Sequence, residues 1–386
     1  MVGAINNFGW KYFKRLNRSE NIFYSPYSIV AALSIAANGA IKATRAEILS
    51  ALGAANVEFL NSGFKTFRDT FAKNYSGKNI LRDTNLMLVN QRYIGNGINP
   101  TFENVITNIY DSEIRAADFE GNLSSEKAEI TEWIDRKTSH FLPNCQVSPT
   151  AKTIIALLNV IYFKGAWHLT FDEENTRREN FTNHDGSKSS VKMMNESFSY
   201  DVYFHSDENF KGIRLPYKDL TATMYLILPR NKWSLNVAEE WNAMDFSYRE
   251  NFIRQLDTPN KLSNGEYFYG DIDVKLPRFE LDIENNLVED LKKIGISRAF
   301  TDKAEFYSIV ENIPLKINDA IHRAKVRVDE SGTEAAAFSW LDVITAGAPP
   351  TKRQFVEFHA DRPFIFVIRD VQSGVDLFAG AVNSLK

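Results

Sequence analysis

The sequence predicts an α+β fold carried by one domain over residues 1–386. Three observations predict it. Helix-like periodicity crowds the first half, strand-like runs crowd the second, and nothing between them reads as a linker.

Ile5, Phe8, Tyr12 and Leu16 recur at helical spacing, as do Ile130, Trp133, Ile134 and Phe141. A later helix is predicted by Leu287, Val288, Leu291 and Ile294, with Gly295 as its stop. Thr223 to Leu228 reads as a strand closed by Pro229, and Val274 to Leu276 as another. Phe364 to Ile368 is short and apolar enough to be a strand buried on both faces. No Gly/Ser tract, Pro-rich tract, run of like charge or long repeat divides the chain, which sets the single-domain reading against its length.

Composition narrows the function. The chain is 44% hydrophobic and 24% charged, enough for a large core, and 28 Phe with 15 Tyr favour β structure. A net charge of -4 offers no electrostatic case for nucleic acid or an anionic membrane, and neither is expected as a partner. The longest apolar stretch, Ile154 to Phe163, contains Asn159 and is too short to span a bilayer. Cys145 is the only cysteine, so no intrachain disulfide forms; without a paired base it reads as a bystander. No signal peptide is visible: the chain is cytoplasmic if Met1 is native and extracellular if this is a mature secreted form. Sequons at Asn17, Asn74, Asn122, Asn180 and Asn195 lean weakly toward secretion.

Catalytic motifs are missing. There is no G-x-S-x-G elbow, no H-E-x-x-H and no Walker loop. Gly95-Asn96-Gly97 lacks the third glycine of a dinucleotide loop. His140, His168, His184, His205, His322 and His359 are scattered, with no Cys/His cluster for zinc. No enzyme, metal or cofactor is predicted.

The informative segment starts at Glu330. Gly332 is followed by Thr333, Glu334, Ala335, Ala336 and Ala337, which taken alone favours a short alanine-rich helix. The strand period offers another reading. Thr333, Ala335, Ala337, Ser339, Leu341, Val343 and Thr345 share one parity and are uncharged and mostly small. Glu334, Phe338, Trp340 and Asp342 share the other. Such a segment fits a crowded sheet with its small face inward, and it also fits an exposed loop.

Motifs across nearly the whole chain resemble those of the serpin family. The stretch Glu330, Gly332, Thr333, Glu334, Ala335, Ala336, Ala337 resembles the inhibitory hinge E-x-G-T-E-A-A-A. Asn21 to Ile29 resembles N-x-F-x-S-P-x-S-I, and Asn159 to Trp167 resembles N-x-I-Y-F-K-G-x-W. Leu215-Pro216-Tyr217, Leu276-Pro277-Arg278-Phe279, His322-Arg323-Ala324, Ala360 to Phe364 and Leu377 to Gly380 follow in family order.

The resemblance implies three β-sheets, about nine helices and an exposed reactive-centre loop at about residues 330–356. It implies a suicide-type inhibitor of serine endopeptidases. The loop is cleaved, the protease is trapped as an acyl-enzyme, and the loop inserts into the main sheet. The alternative is a non-inhibitory serpin serving as carrier, chaperone or binding scaffold. A monomer is expected.

Family positions imply a hinge at Gly332 and Thr333 and a polar cluster beneath the sheet at Ser25, Ser28, Asn159 and His322. Trp167 matches the head of the sheet, and Glu330 with Arg278 matches an ion pair there. The plainer readings are satisfied buried polar groups, core packing and a weak surface pair. Family spacing from Gly332 sets the attacked bond at Ala346–Gly347, which suits an elastase-like protease and is favoured. Counting back from Pro363 points to Lys352, Arg353 and Gln354, which suits a trypsin-like one. A cysteine-protease target is a third reading. Phe338 and Trp340 depart from the small residues usual in inhibitors, and Thr138-Ser139-His140-Phe141 departs from T-x-G-K-I. The chain also ends at Asn383 to Lys386 without the usual proline.

Overall fold

A computed structural model describes residues 1–142, 149–199, 201–258, 270–333 and 354–386. Cys145 lies outside them. Among the described residues there are nine α-helices. They are α1 (Val2–Phe13), α2 (Pro26–Gly39), α3 (Lys42–Leu52), α4 (Val57–Asn74), α5 (Pro100–Tyr110), α6 (Leu123–Lys137), α7 (Val237–Ala243), α8 (Phe246–Gln255) and α9 (Val288–Ile294). The strands of the first half are β1 (Ile22–Tyr24), β2 (Ile80–Asn90), β3 (Glu113–Ala117) and β4 (Ile155–Ala166). Then come β5 (Arg177–Thr182), β6 (Lys188–Phe198), β7 (Tyr203–Ser206), β8 (Phe210–Pro216), β9 (Ala222–Pro229), β10 (Gly270–Pro277) and β11 (Phe279–Asn286). The last are β12 (Ile317–Asp329), β13 (Gly332–Thr333), β14 (Gln354–His359), β15 (Phe364–Asp370) and β16 (Asp376–Val382).

They form three sheets, ordered β11-β12-β13-β4-β2-β3, β1-β16-β15-β9-β8-β7 and β14-β10-β6-β5. The predicted α+β class and the expected three sheets and nine helices are present. β9 and β15 fall where the apolar runs predict, every residue of both is buried, and Gly295 ends α9 at φ 104°.

Two expected helix members fall outside their helices. Leu16 follows α1, and Phe141 follows α6. Ser139 (φ 53°) and His140 (φ 66°) turn the chain away in left-handed backbone, and His140 stands where T-x-G-K-I has its glycine. The His140 ring meets Asp135 at 2.7 Å, and Phe141 packs on Tyr162 at 4.4 Å.

β4 explains its apolar run, broken only at Asn159. Ile155, Leu157, Ile161 and Phe163 enter the main core, while Ala156, Leu158 and Val160 face Ile130, Trp133 and Ile134 of α6. Behind the sheet lies α2, buried nearly all round and packed on both β4 and β16. Pro26 at its first position and the Ser25 side chain, which accepts from the Ser28 N–H at 3.0 Å, start it. α6 in front and α2 behind therefore fix the sheet centre.

Gly380 marks the tightest strand approach in the second sheet. A Cβ there would stand 2.5 Å from the Ile22 carbonyl oxygen and 2.6 Å from the Phe366 ring. Gly380→Ala is expected to lower stability by about 1–3 kcal/mol, read as a reduced denaturant midpoint at unchanged slope.

Candidate functional site

The first sheet has a seam between β12 and β4. Below, the two strands pair directly in parallel, from Ile317 with Ile155 to Lys325 with Tyr162. At the head, β13 stands between them. Gly332 and Thr333 pair antiparallel with Asp329 and Val328 on one side and with Ala166 and Gly165 on the other.

Backbone geometry requires glycine at 332. Its φ is 144°, and a Cβ would stand 2.2 Å from the Gly165 carbonyl oxygen. Thr333 is fully buried, and its hydroxyl meets Tyr217 Oη at 2.6 Å. Tyr217 stacks on Trp167 at 4.6 Å. Trp167 ties down the preceding turn: its Nε1 donates to the Asp329 carbonyl at 2.9 Å and its backbone N–H to the Ser331 carbonyl at 2.9 Å.

Glu330 and Arg278 do form the expected ion pair, but not as a weak surface pair. The Glu330 side chain is 3% exposed and Arg278 31%, with Arg278 Nε at 2.7 Å. Thr176 Oγ1 also donates to the carboxylate at 2.5 Å. Burial raises the Glu330 pKa, but the hydrogen bonds from Arg278 and Thr176 outweigh it and hold the carboxyl below its ordinary value. Removing Arg278 would strand a buried carboxylate, a larger loss than a surface pair represents.

Lower on the seam, Ser25, Ser28, Asn159 and His322 come together, as the family positions imply. The Ser25 backbone N–H donates to His322 Nε2 at 3.0 Å. That leaves the ring proton on Nδ1, which donates to Asn159 Oδ1 at 2.5 Å. Asn159 Nδ2 donates to Ser28 Oγ at 2.5 Å and to Asn85 Oδ1 at 2.7 Å. The Ser28 hydroxyl then donates to Asp83. The relay crosses β12, β4, β2 and α2, and its one side-chain link over the seam is the His322–Asn159 bond.

Sequence reading missed Tyr217, Thr176, Asn85 and Asp83. Tyr217 sits inside a quoted motif; the others carry no sequence signal. Glu334, Ala335, Ala336, Ala337, Phe338, Trp340, Ala346, Gly347, Lys352 and Arg353 lie outside the described residues, and Gln354 begins β14. Among the described residues no group of three or more His, Cys, Asp or Glu could hold a metal, and no helix is long and apolar enough to cross a membrane.

The two titratable ends of the relay oppose each other. Burial pushes His322 down to about 3, so the unfolded chain takes up this proton first on acidification. Its stabilising contribution is full above about pH 6.5 and is lost as pH falls toward 3. Burial raises Asp83 to about 7, partly offset by Ser28, so the folded chain holds that proton more tightly and stability falls as pH rises from about 4 to 7. The two effects cancel over much of pH 4 to 6.5. Asp83→Asn leaves the histidine unopposed, so the variant should lose up to about 1.4 kcal/mol per pH unit on acidification. Urea unfolding of both proteins from pH 6.5 to 4.5 checks this; equal pH slopes would refute it.

Comparison with known proteins gives these features a family. The model of Serpin (serine protease inhibitor) matches residues 3–385. Iris from Ixodes ricinus is 30% identical over 392 residues, covering 99% of this chain and 98% of that protein. Serpin-Z1A from Triticum aestivum is 29% identical over 378 residues, covering 94% and 90%. Among solved structures, the thermophilic serpin tengpin in the native state is 25% identical with TM-score 0.85, covering 100% of this chain and 94% of that one. Thyroxine-binding globulin in complex with thyroxine, 24% identical with TM-score 0.82 and covering 99% and 98%, shares the fold. Two flanking sheets around a wedged seam, and a match running from residue 3 to residue 385, together show that this chain belongs to the serpins.

Proposed function

We propose that this chain is a single-domain, single-use inhibitor of serine endopeptidases, with the bait inside residues 334–353 and Ala346–Gly347 as the attacked bond. Arg353–Gln354, with Lys352 beside it, is the alternative bond. One observation carries the reading: Gly332 and Thr333 already occupy a strand position between β12 and β4 at the head of the seam.

The physical driving force follows from strand direction. β12 and β4 run parallel to each other, and β13 is antiparallel to both. A strand continuing β13 downward would exchange one parallel ladder for two antiparallel ones, the more stable kind per residue. Insertion of a cleaved serpin loop is itself an accepted case of such strand addition. The family's fold is metastable, so a barrier rather than equilibrium holds the uninserted state.

The register of β13, continued down the sheet, supports the parity read from the sequence. Glu334 would come level with Arg327 and Lys164, an acid between two cations. Ser339 would come level with His322 and Asn159, where a small polar residue fits the relay. Phe338 would lie beside Arg323 and Val160, and Trp340 beside Ile321 and Leu158. Val160 and Leu158 pack against α6, so the outward parity at that depth meets a helix rather than water. The two aromatics therefore require α6 to lift further than small residues would. That favours a second reading, a carrier or scaffold whose loop inserts poorly. On either reading the protein supplies no catalytic residue.

Mixing the protein with elastase and with trypsin separates these readings on denaturing gels. A covalent adduct stable in SDS is expected, and cleavage without adduct or rise in melting temperature supports the carrier instead. The mass of the C-terminal fragment decides between Ala346 and Arg353.

Thr333→Arg tests insertion directly, because the threonine is fully buried against Tyr217. The variant is expected to be cleaved as a substrate with little adduct; full inhibition by it would refute insertion.

A further inference from the structure

A cleft of about 690 Å³ opens where the end of α1 meets α3 and the turn after α9. Lys11, Lys14 and Arg15 line it from α1 and the residues that follow it. Ala43, Ala46 and Ala51 line it from α3, and Ile294 lines it from α9. None of these residues belongs to the seam or its relay.

The three cations stand together without anions. Lys14 and Arg15 follow Lys11 at the spacings that make helix residues neighbours on one face, where like charges repel. The negative end of the α1 dipole offsets part of that cost. The acids close by are engaged elsewhere. Glu47, the acid in the lining, accepts from the backbone N–H groups of Ser297 at 2.9 Å and Arg298 at 2.8 Å. On α9, Glu289 holds Lys292 at 2.7 Å and Asp290 holds Lys293 at 2.9 Å. Among the described residues, Lys11, Lys14 and Arg15 have no ion pair.

We propose that this cleft binds an organic phosphate or sulfate monoester, its anionic head on Lys11, Lys14 and Arg15 and its apolar body against Ala43, Ala46 and Ile294. Charge and size select this occupant. A monoester head offers a terminal oxygen to each of the three cations, which a carboxylate does not. A bare inorganic anion fills only a small part of about 690 Å³, a volume typical of clefts that take drug-sized molecules. The alanine and isoleucine wall gives a polar head nothing to bond, whereas a hydrocarbon body gains by covering it. A free monoester and a phospholipid headgroup share this chemistry. The proposal stands apart from the inhibitory reading.

Isothermal titration at low salt compares 1-naphthyl phosphate with 1-naphthol and with inorganic phosphate. The ester should bind about tenfold more tightly than either, and high salt should weaken it. The double variant Lys11→Gln with Arg15→Gln should lose about tenfold in affinity for the ester. Ala46→Leu, at an exposed helix position, should weaken it as well, by filling the apolar wall while every charge stays in place. Sedimentation with phosphatidylcholine vesicles, with and without phosphatidate, separates the two sources. Retention of wild type but not of the double variant by the phosphatidate vesicles assigns a lipid headgroup, and ester binding without retention assigns a free monoester. Ester binding that is absent, that inorganic phosphate matches, or that both variants leave unchanged overturns the proposal.

Discussion

The seam between β12 and β4 is the constraint on which the rest of this molecule depends. It is closed by a parallel ladder below and interrupted by two residues above. Its two faces are covered by different means. In front, α6 presses an apolar cluster onto Leu158 and Val160. Behind, α2 presents hydroxyls and a capped N-terminus to a polar relay. An apolar cover resists parting in proportion to area, whereas a buried relay resists it through donors and acceptors left unpaired. The second kind of resistance is short-ranged: once the His322–Asn159 bond is broken, the relay holds the two strands only through α2, by Ser25 on His322 and Ser28 on Asn159. A barrier of that shape suits a protein whose working life is set by a rate.

Local pattern made some of this legible. β9 and β15 were legible because strands buried on both faces leave unbroken apolar runs. α9 was legible because Gly295 marks its end. Periodicity also showed which face of α1 and α6 is apolar, but not where each stops. Leu16 and Phe141 fit the period after the backbone has left the helix, and no glycine at 139 or 140 signals the turn.

The functional region was legible mainly through resemblance. Alanine and glutamate between 334 and 337 serve a helix as well as a strand, so propensity could not decide. The depth of the site was not legible at all. Thr333 and its partner Tyr217 stand 116 positions apart, and Glu330 was matched to Arg278 without any sign that the pair is buried. Asp83 was the least visible. An acid between Arg82 and Thr84 reads as a solvent-facing strand residue, and only the approach of α2 turns it into the end of a relay.

The threading of the last strands has a consequence for the molecule after a cut. Everything beyond residue 353 is structural: β14 edges the third sheet, while β15 and β16 lie inside the second, with β16 held between β1 and β15. Arg369 on β15 is clamped by buried Asp376 at 2.6 Å and by Glu250 at 2.8 Å. A cut between residues 334 and 353 would therefore yield two polypeptides but one body, because freeing the shorter piece means dismantling the middle of a sheet. The described residues on either side of the cut belong to different sheets. The piece that begins at Gln354 is moored along the whole of β14, and the described part of the longer piece ends at Thr333, held between β12 and β4. On the inhibitory reading, a cut in residues 334–353 leaves the shorter piece fixed by three strands, so the end that travels is the one joined to Thr333.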